Sequence, residues 1–434
     1  MYKKPAKTPP LGWNSWDCFG AAVTEEQLKT NADYMAKYLK PYGWEYIVCD
    51  IQWYEPTAGS NDYHPFAPLC MDKYGRLLPA ENRFPSAAGG KGFAPIAEYC
   101  HRLGLKFGIH ILRGVPREAV HKALPVKGTG FTCRDIAHPY SICSWNTDMY
   151  GLQDTPAAQS YYDSLFELYA SWGVDFIKCD DICVTEFRQF DAPYSAAHEI
   201  EMIRRAIDRC GRKMVLSLSP GPARLQDEPH LRAHADMWRL TGDFWDDWKY
   251  LHGMFEVCRR WQGKQGRGCW PDCDMLPLGR LSKNAPCHGE ANRYTNFTKP
   301  EQVTMLTLWG VFKSPLMIGG NLPENDDWTR ALLTNRAYLD MHQNAYGARE
   351  VLCDEKNGKG TILWESCGKG CKYLAVFNTK DAESTVTVDL RTVLMPDVPY
   401  TVTEIWSGAV LPDVKNRLRT IVDPHGAKLF CFTE

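Results

Sequence analysis

No stretch of this chain approaches the roughly 20 apolar residues that a membrane helix needs, and no block of Lys and Arg is dense enough to track a phosphate backbone. With 50 basic and 52 acidic side chains the formal charge is -2, so neither nucleic acid nor a membrane is expected as a partner. The N-terminus, MYKKPAKTPPLGW, runs from its lysines straight into prolines with no apolar core segment. It does not read as a signal peptide, and the expected compartment is the cytoplasm, unless a leader has been removed. There is no tandem repeat and no low-complexity linker. None of the 17 cysteines forms a C-x-x-C pair, and Cys49, Cys100, Cys210 and Cys258 sit inside apolar segments, which favours buried, reduced thiols. Cys179/Cys183, Cys269/Cys273 and Cys367/Cys371 are each separated by three residues. That spacing is looser than most zinc pairs, so a zinc or disulfide reading is the minority one there and no metal is expected.

What is present is a regular alternation. Eight apolar runs read as strands: 11–16, 46–53, 105–111, 175–181, 214–220, 236–243, 269–276 and 314–320. Helical patterns lie between them, for instance EEQLKTNADYMAKYLKPYG, FAPIAEYCHRLG, AAQSYYDSLFELYASWG and AAHEIEMIRRAIDRCG, the last two ending on the glycine that commonly stops a helix. Thr298, Pro300 and Glu301 have the spacing of a capping box with proline in the first turn. Eight βα units over residues 1–345 predict a (β/α)8 TIM barrel, with a doubly wound sheet as the alternative. From residue 346 to 434 the runs TILWES, KYLAVFN, STVTVDL, YTVTEIWS and AKLFCFT alternate by two, which predicts an antiparallel β-sandwich domain.

A barrel of this kind carries its chemistry at the C-terminal ends of its strands. The polar residues there are Trp16 and Asp17, Asp50 and Trp53, His110 and Arg113, Lys178, Asp180 and Asp181, Ser217 and Ser219, Arg239 and Asp243, and Asp272 and Asp274. Taken singly, an Asp at a strand end is more often a cap or loop ion pair, and a lone Trp is more often packing. Convergence from many strands points instead to a carbohydrate pocket, with tryptophan faces for sugar rings and carboxylates and cations for hydroxyls. Two facing carboxylates suit glycoside hydrolysis. Asp180 is the expected nucleophile. Lys178, two residues earlier on the same strand face, would favour its ionised form. Asp181 is expected to point away. Asp243 is the expected general acid, its proton kept by an apolar or anionic surround.

The segments GWNSWDCFG, GRLLPAENRFPS, GLKFGIHI, WGVDFIKCDD, WRLTGDFWDDW, PDCDMLPLG and SPLMIGGNL, in this order, resemble glycoside hydrolase family 27 of clan D, which contains α-galactosidases and α-N-acetylgalactosaminidases. The similarity covers nearly the whole chain. It implies a retaining glycosidase built as a (β/α)8 barrel plus a β-sandwich, without a cofactor. On this resemblance Asp180 is the nucleophile, Asp243 the acid/base and Trp16 the platform under the sugar. Asp50 is the carboxylate for galactose hydroxyls, Lys178 and Arg239 are cationic contacts, and Asp274 is the aspartate of the D-P-D-M segment, here D-C-D-M.

Three departures bear on the substrate. The family usually has two aspartates after the second strand, the second holding the galactose 6-hydroxyl; here the pair is Asp50-Ile51. An isoleucine would strand that hydroxyl, a cost of roughly 1 to 3 kcal/mol. β-L-Arabinopyranose, which has the galacto pattern without the hydroxymethyl group, avoids the loss, as does 6-deoxy-galactose. Second, SLSPGPA on strand five puts Ser219 near the place of a family glutamate, and small residues there would admit an acetamido group. Third, His110 stands where tyrosine is common. The family's active-site disulfide has no evident counterpart, because Cys183 is displaced by one residue, leaving Cys133 or Cys143 as alternative partners. The expected function is a retaining exo-glycosidase releasing terminal α-D-galactosyl-type residues by double displacement, with β-L-arabinopyranosidase and α-N-acetylgalactosaminidase as alternatives. A non-catalytic galactose-binding barrel is the reading from a different class, and a metal-dependent hydrolase using cysteines and His110 a third. Family members are often dimers or larger, so a homo-oligomer is among the expectations.

Overall fold

The computed structural model describes residues 4–59, 62–183, 196–284, 288–393 and 398–434. Eight parallel strands make one sheet: β1 Leu11–Asn14, β2 Tyr46–Cys49, β3 Lys106–Leu112, β4 Phe176–Asp180, β5 Val215–Leu218, β6 Met237–Arg239, β7 Trp270–Asp272 and β8 Leu316–Ile318. They are hydrogen-bonded in the order β7-β6-β5-β4-β3-β2-β1-β8. Leu276, just past β7, pairs in parallel with Ile318 of β8 and closes the sheet into a barrel. Seven of the eight strands lie within a run expected from the sequence, and β3 passes the end of its run, 105–111, by one residue, Leu112. The helices Glu25–Tyr34, Ala94–Arg102, Pro156–Ser171 and Ala197–Arg209 lie between them. The helix Lys299–Phe312 opens on the expected capping box, with Glu301 N–H donating to Thr298 Oγ1 at 3.4 Å and Thr298 N–H donating to Glu301 Oε2 at 2.8 Å.

The period-two alternation of a strand explains how a buried strand comes to end in charge. Tyr46, Val48, Phe176, Val215, Met237, Trp270 and Met317 form their own apolar cluster inside the barrel. The next residues on the same faces are Asp50 after Val48, then Lys178 and Asp180 after Phe176, Ser217 after Val215, Arg239 after Met237 and Asp272 after Trp270. The intervening positions, such as Ile47, Cys49, Ile177, Cys179, Leu216 and Trp238, belong to the larger core shared with the helices. Apolar filling at the bottom and charge at the top are therefore one stripe per strand. Gly12 and Gly108 make room for that filling, since a Cβ on either would lie 2.7 Å from Tyr46 Cβ or 2.8 Å from Phe176 Cβ.

From residue 346 the strands are antiparallel: β9 Tyr346–Cys353, β10 Thr361–Gly368, β11 Cys371–Asn378, β12 Ser384–Asp389, β13 Tyr400–Glu404, β14 Val410–Val414, β15 Arg417–Val422 and β16 Ala427–Thr433. Six form a sheet in the order β9-β10-β11-β16-β13-β14, and β12 pairs with β15. Leu374 and Val376 of β11 pack against Val386, Val388, Leu418 and Val422 of the two-stranded sheet. Tyr373, Ala375 and Phe377 alternate with them and join the core of the barrel helices. Both faces of the six-stranded sheet are thus covered. No helix among the described residues is long and apolar enough to cross a membrane. The described cysteines, Cys133, Cys143 and Cys183 among them, carry free thiols.

Candidate active site

The end of β4 places Lys178 and Asp180 on one face and turns Asp181 off it. Asp181 has φ +52°, and its carboxylate pairs with Arg113 Nη2 at 3.0 Å, away from the pocket. Arg113 also reaches Glu199 at 3.0 Å and donates to Ser141 Oγ at 2.8 Å. Asp180 stays in the barrel mouth. Its Oδ1 accepts the Asp181 N–H at 3.0 Å, and its Oδ2 lies 3.2 Å from His110 Nε2. Burial alone would raise its pKa, but the His110 hydrogen bond and the charges of His110, Lys178 and Arg239 outweigh it and lower it to about 2. The charges at the end of FIKCDD are kept because each has a partner.

Lys178 Nζ donates to Asp50 Oδ2 at 2.7 Å, and Asn14 Nδ2 donates to the same oxygen at 2.7 Å. Burial would push Asp50 up, yet the Lys178 and His110 charges hold it below the ordinary carboxylate range. Across the mouth, Arg239 Nη2 donates to Asp243 Oδ1 at 3.0 Å and lies 2.9 Å from Asp274 Oδ2, which also accepts the Phe244 N–H at 2.8 Å. The two carboxylates expected to do chemistry sit very differently. The Asp180 side chain is 14% exposed, whereas that of Asp243 is 62% exposed. Of the apolar or anionic surround expected from the sequence, Asp243 has an anionic neighbour in Asp274, but Arg239 pairs with both carboxylates and the Asp243 side chain opens to solvent.

Two further acids lie beside them. Asp17 is buried with an Oδ2 that has no hydrogen-bond partner among the described residues, and burial together with the nearby Asp274 charge keeps its pKa well above the usual range. Asp272 accepts the Asp274 N–H at 2.9 Å, and burial and the Asp274 charge, against Arg239, push it up to about 7. The folded chain therefore holds this proton long after the unfolded chain, titrating near pH 4, has lost it. Its contribution to stability is full at low pH and is lost as pH rises from about 4 to 7. Asp272→Asn, which resembles the protonated acid, should have a Tm that gains on the parent over that interval. A constant offset from pH 4 to 8 in thermal melts would contradict this.

One cavity of about 440 Å³ collects Trp16, Asp50, Ile51, Lys178, Asp180, Arg239, Asp243 and Asp274, with Asp17 beside them. His110 and Ser219 are not among its lining residues. His110 is fully buried behind Asp180, and Ser219 lies fully buried beneath Pro220 and Gly221, which form the wall in its stead. Trp53 is a core residue, packed edge-on against Phe93 and Trp172. Sequence reasoning missed Tyr63, Trp145 and Trp245. Tyr63 stacks on Trp16 with ring centroids 6.2 Å apart and 21° between planes, and Trp145 lies 5.6 Å beyond it. Trp245 stacks on His288 at 5.0 Å. Tyr63 comes from the long connection after β2 and Trp145 from the long connection after β3. The one signal that could have found them was the length of those gaps between predicted strands.

The family model for alpha galactosidase A matches residues 146–344, which contain β4 to β8. A β-L-arabinopyranosidase of family 27 from Geobacillus stearothermophilus is 53% identical, covers 99% of this chain and 97% of that one, and superposes with a TM-score of 0.95. The chain belongs to glycoside hydrolase family 27. A protein of Bacillus halodurans proposed to be an α-N-acetylgalactosaminidase is 48% identical over 100% of this chain and 98% of that one, with a TM-score of 0.88. Alpha-galactosidase 2 of Arabidopsis thaliana is 25% identical over 99% of this chain and 90% of that protein. This family 27 chain is accordingly a glycosidase, and its cavity is where the carbohydrate chemistry of the family has to be sought.

Proposed function

We propose that the chain is a retaining exo-glycosidase that prefers β-L-arabinopyranosides to α-D-galactosides. The observation that carries the preference is Ile51, 2% exposed, lining the cavity directly after Asp50. β-L-Arabinopyranose is α-D-galactopyranose without its hydroxymethyl group, so an apolar side chain there meets hydrogen instead of a stranded hydroxyl. The penalty on galactose, roughly 1 to 3 kcal/mol, amounts to about 5- to 150-fold in kcat/KM. The Geobacillus relative, 53% identical, bears the same activity in its name.

In the first step Asp180 attacks C1 from the face opposite the departing oxygen while Asp243 protonates that oxygen, so the C1–O bond to the aglycone breaks as an ester between Asp180 and C1 forms. In the second, Asp243 takes a proton from water as the water attacks C1, the Asp180–C1 ester bond breaks to restore the carboxylate, and the sugar leaves with its configuration retained. The low pKa of Asp180 keeps the nucleophile ionised throughout the neutral range. The exposure of Asp243 lets it meet first an aglycone and then water. Asp17, whose pKa burial and the Asp274 charge raise well above the usual range, lines the cavity beside Trp16. Trp16 and Tyr63 supply the apolar platform.

Comparing p-nitrophenyl β-L-arabinopyranoside, α-D-galactopyranoside and α-N-acetylgalactosaminide tests the reading. The pentoside should lead. Ile51→Asp should move the arabinoside-to-galactoside ratio of kcat/KM at least tenfold toward galactose. A parent that prefers galactose, or a ratio unmoved by Ile51→Asp, would contradict the assignment. A leading rate on the acetamido sugar would shift weight to the wall made by Pro220 and Gly221.

A further inference from the structure

Outside the catalytic cavity, three potential ligands meet between two barrel helices. His230 and His234 are four residues apart on the helix Glu228–His234, so both imidazoles lie on one side of it. Their ring centroids are 4.3 Å apart. Glu201, on the helix Ala197–Arg209, brings Oε1 to 3.1 Å from His230 Nε2. His234 Nδ1 lies 2.9 Å from the His230 carbonyl. As the donor in that bond it leaves the lone pair on Nε2, the tautomer that a metal ligand requires. The opposite oxygen of Glu201, Oε2, is 3.4 Å from Arg205 Nη1, and Arg205 Nε donates to Gln159 at 2.8 Å, so the guanidinium holds the carboxylate from its far side.

We propose that Glu201, His230 and His234 form a binding site for a divalent transition metal, zinc by preference, that staples these two helices together. Two imidazoles and one carboxylate suit zinc, copper or nickel and not calcium or magnesium, which prefer all-oxygen shells. One ligand atom from each residue lies within 4.8 Å of the other two. Zinc with bonds of about 2.0 to 2.2 Å needs its donors roughly 3.4 Å apart, and side-chain rotation on partly exposed residues closes that gap. None of the three lines the catalytic cavity. The metal is structural: it ties the helix that follows β4, bearer of Asp180, to the helix that precedes β6, bearer of Arg239.

The test uses the full chain, reduced and freed of metal with a chelator. Titration calorimetry with zinc chloride should show a single equivalent bound, and Tm should rise with zinc concentration by mass action. Cobalt(II) should give visible d–d bands without a thiolate charge-transfer band, which separates this site from the cysteines. His234→Gln and Glu201→Gln should each weaken binding at least tenfold and remove the Tm response, while the metal-free Tm and kcat/KM stay at parental values. The proposal is overturned if the reduced chain binds no zinc, if binding survives both substitutions, or if cobalt reports thiolate ligation.

Discussion

Asp180→Asn should lower kcat/KM on every aryl glycoside that the parent hydrolyses by about 10⁴ or more, the scale of losing a group that acts within a catalytic unit. The amide keeps the shape and an oxygen to accept the Asp181 N–H that now bonds Asp180 Oδ1. It cannot form an ester to C1. Because the ionised carboxylate is stabilised by His110, Lys178 and Arg239, a neutral side chain should lower the Tm at neutral pH without unfolding the chain, checked by circular dichroism and melting. Asp180→Ala with sodium azide provides the complementary arm. The small anion entering the vacated face should restore turnover and release a glycosyl azide of inverted configuration, read by proton NMR. Near-parental rates in Asp180→Asn would show that another group attacks.

Asp243→Asn should produce a loss that depends on the leaving group. For an aglycone that needs protonation the fall should be about 10² to 10⁴, the usual contribution of a general acid. For 2,4-dinitrophenyl glycosides the first step should be nearly spared. The second step, which needs Asp243 to deprotonate water, then limits turnover and gives a burst of phenol equal to the enzyme present. The geometry explains the asymmetry: Asp243 faces solvent at the cavity mouth and, among the described residues, is held by Arg239, which also pairs with Asp274. A loss equal for all leaving groups would indicate a positioning role only.

The barrel was legible because its strands advertise themselves twice, once as apolar runs and again through the charge at their ends. FIKCDD shows both: Ile177 and Cys179 join the helix-side core while Phe176, Lys178 and Asp180 descend from apolar filling to cavity floor. The same reading separated Asp180 from Asp181. It was less informative where the chain leaves regular structure. Tyr63 and Trp145 sit in long connections after β2 and β3, where no periodicity says which residue returns to the mouth. Ser219 fails for a related reason. Past the end of β5 the strand alternation no longer holds, and Pro220 and Gly221 take the cavity wall while the serine hydroxyl is buried. His110 continues the alternation of β3 but is fully buried, meets Asp180 from behind at 3.2 Å and does not line the cavity. The setting of Asp243 was readable in part: Arg239 precedes it by four residues in the same predicted run, whereas Asp274, which shares that guanidinium, arrives from beyond β7.

The most direct measurement is to trap the covalent intermediate with a slow fluorinated glycosyl fluoride of the galacto or L-arabino configuration and to locate the label by peptide mass spectrometry. The account predicts one sugar per chain, esterified to Asp180. A label on Asp243 or any other side chain, or an inverted product with no label formed, would contradict it.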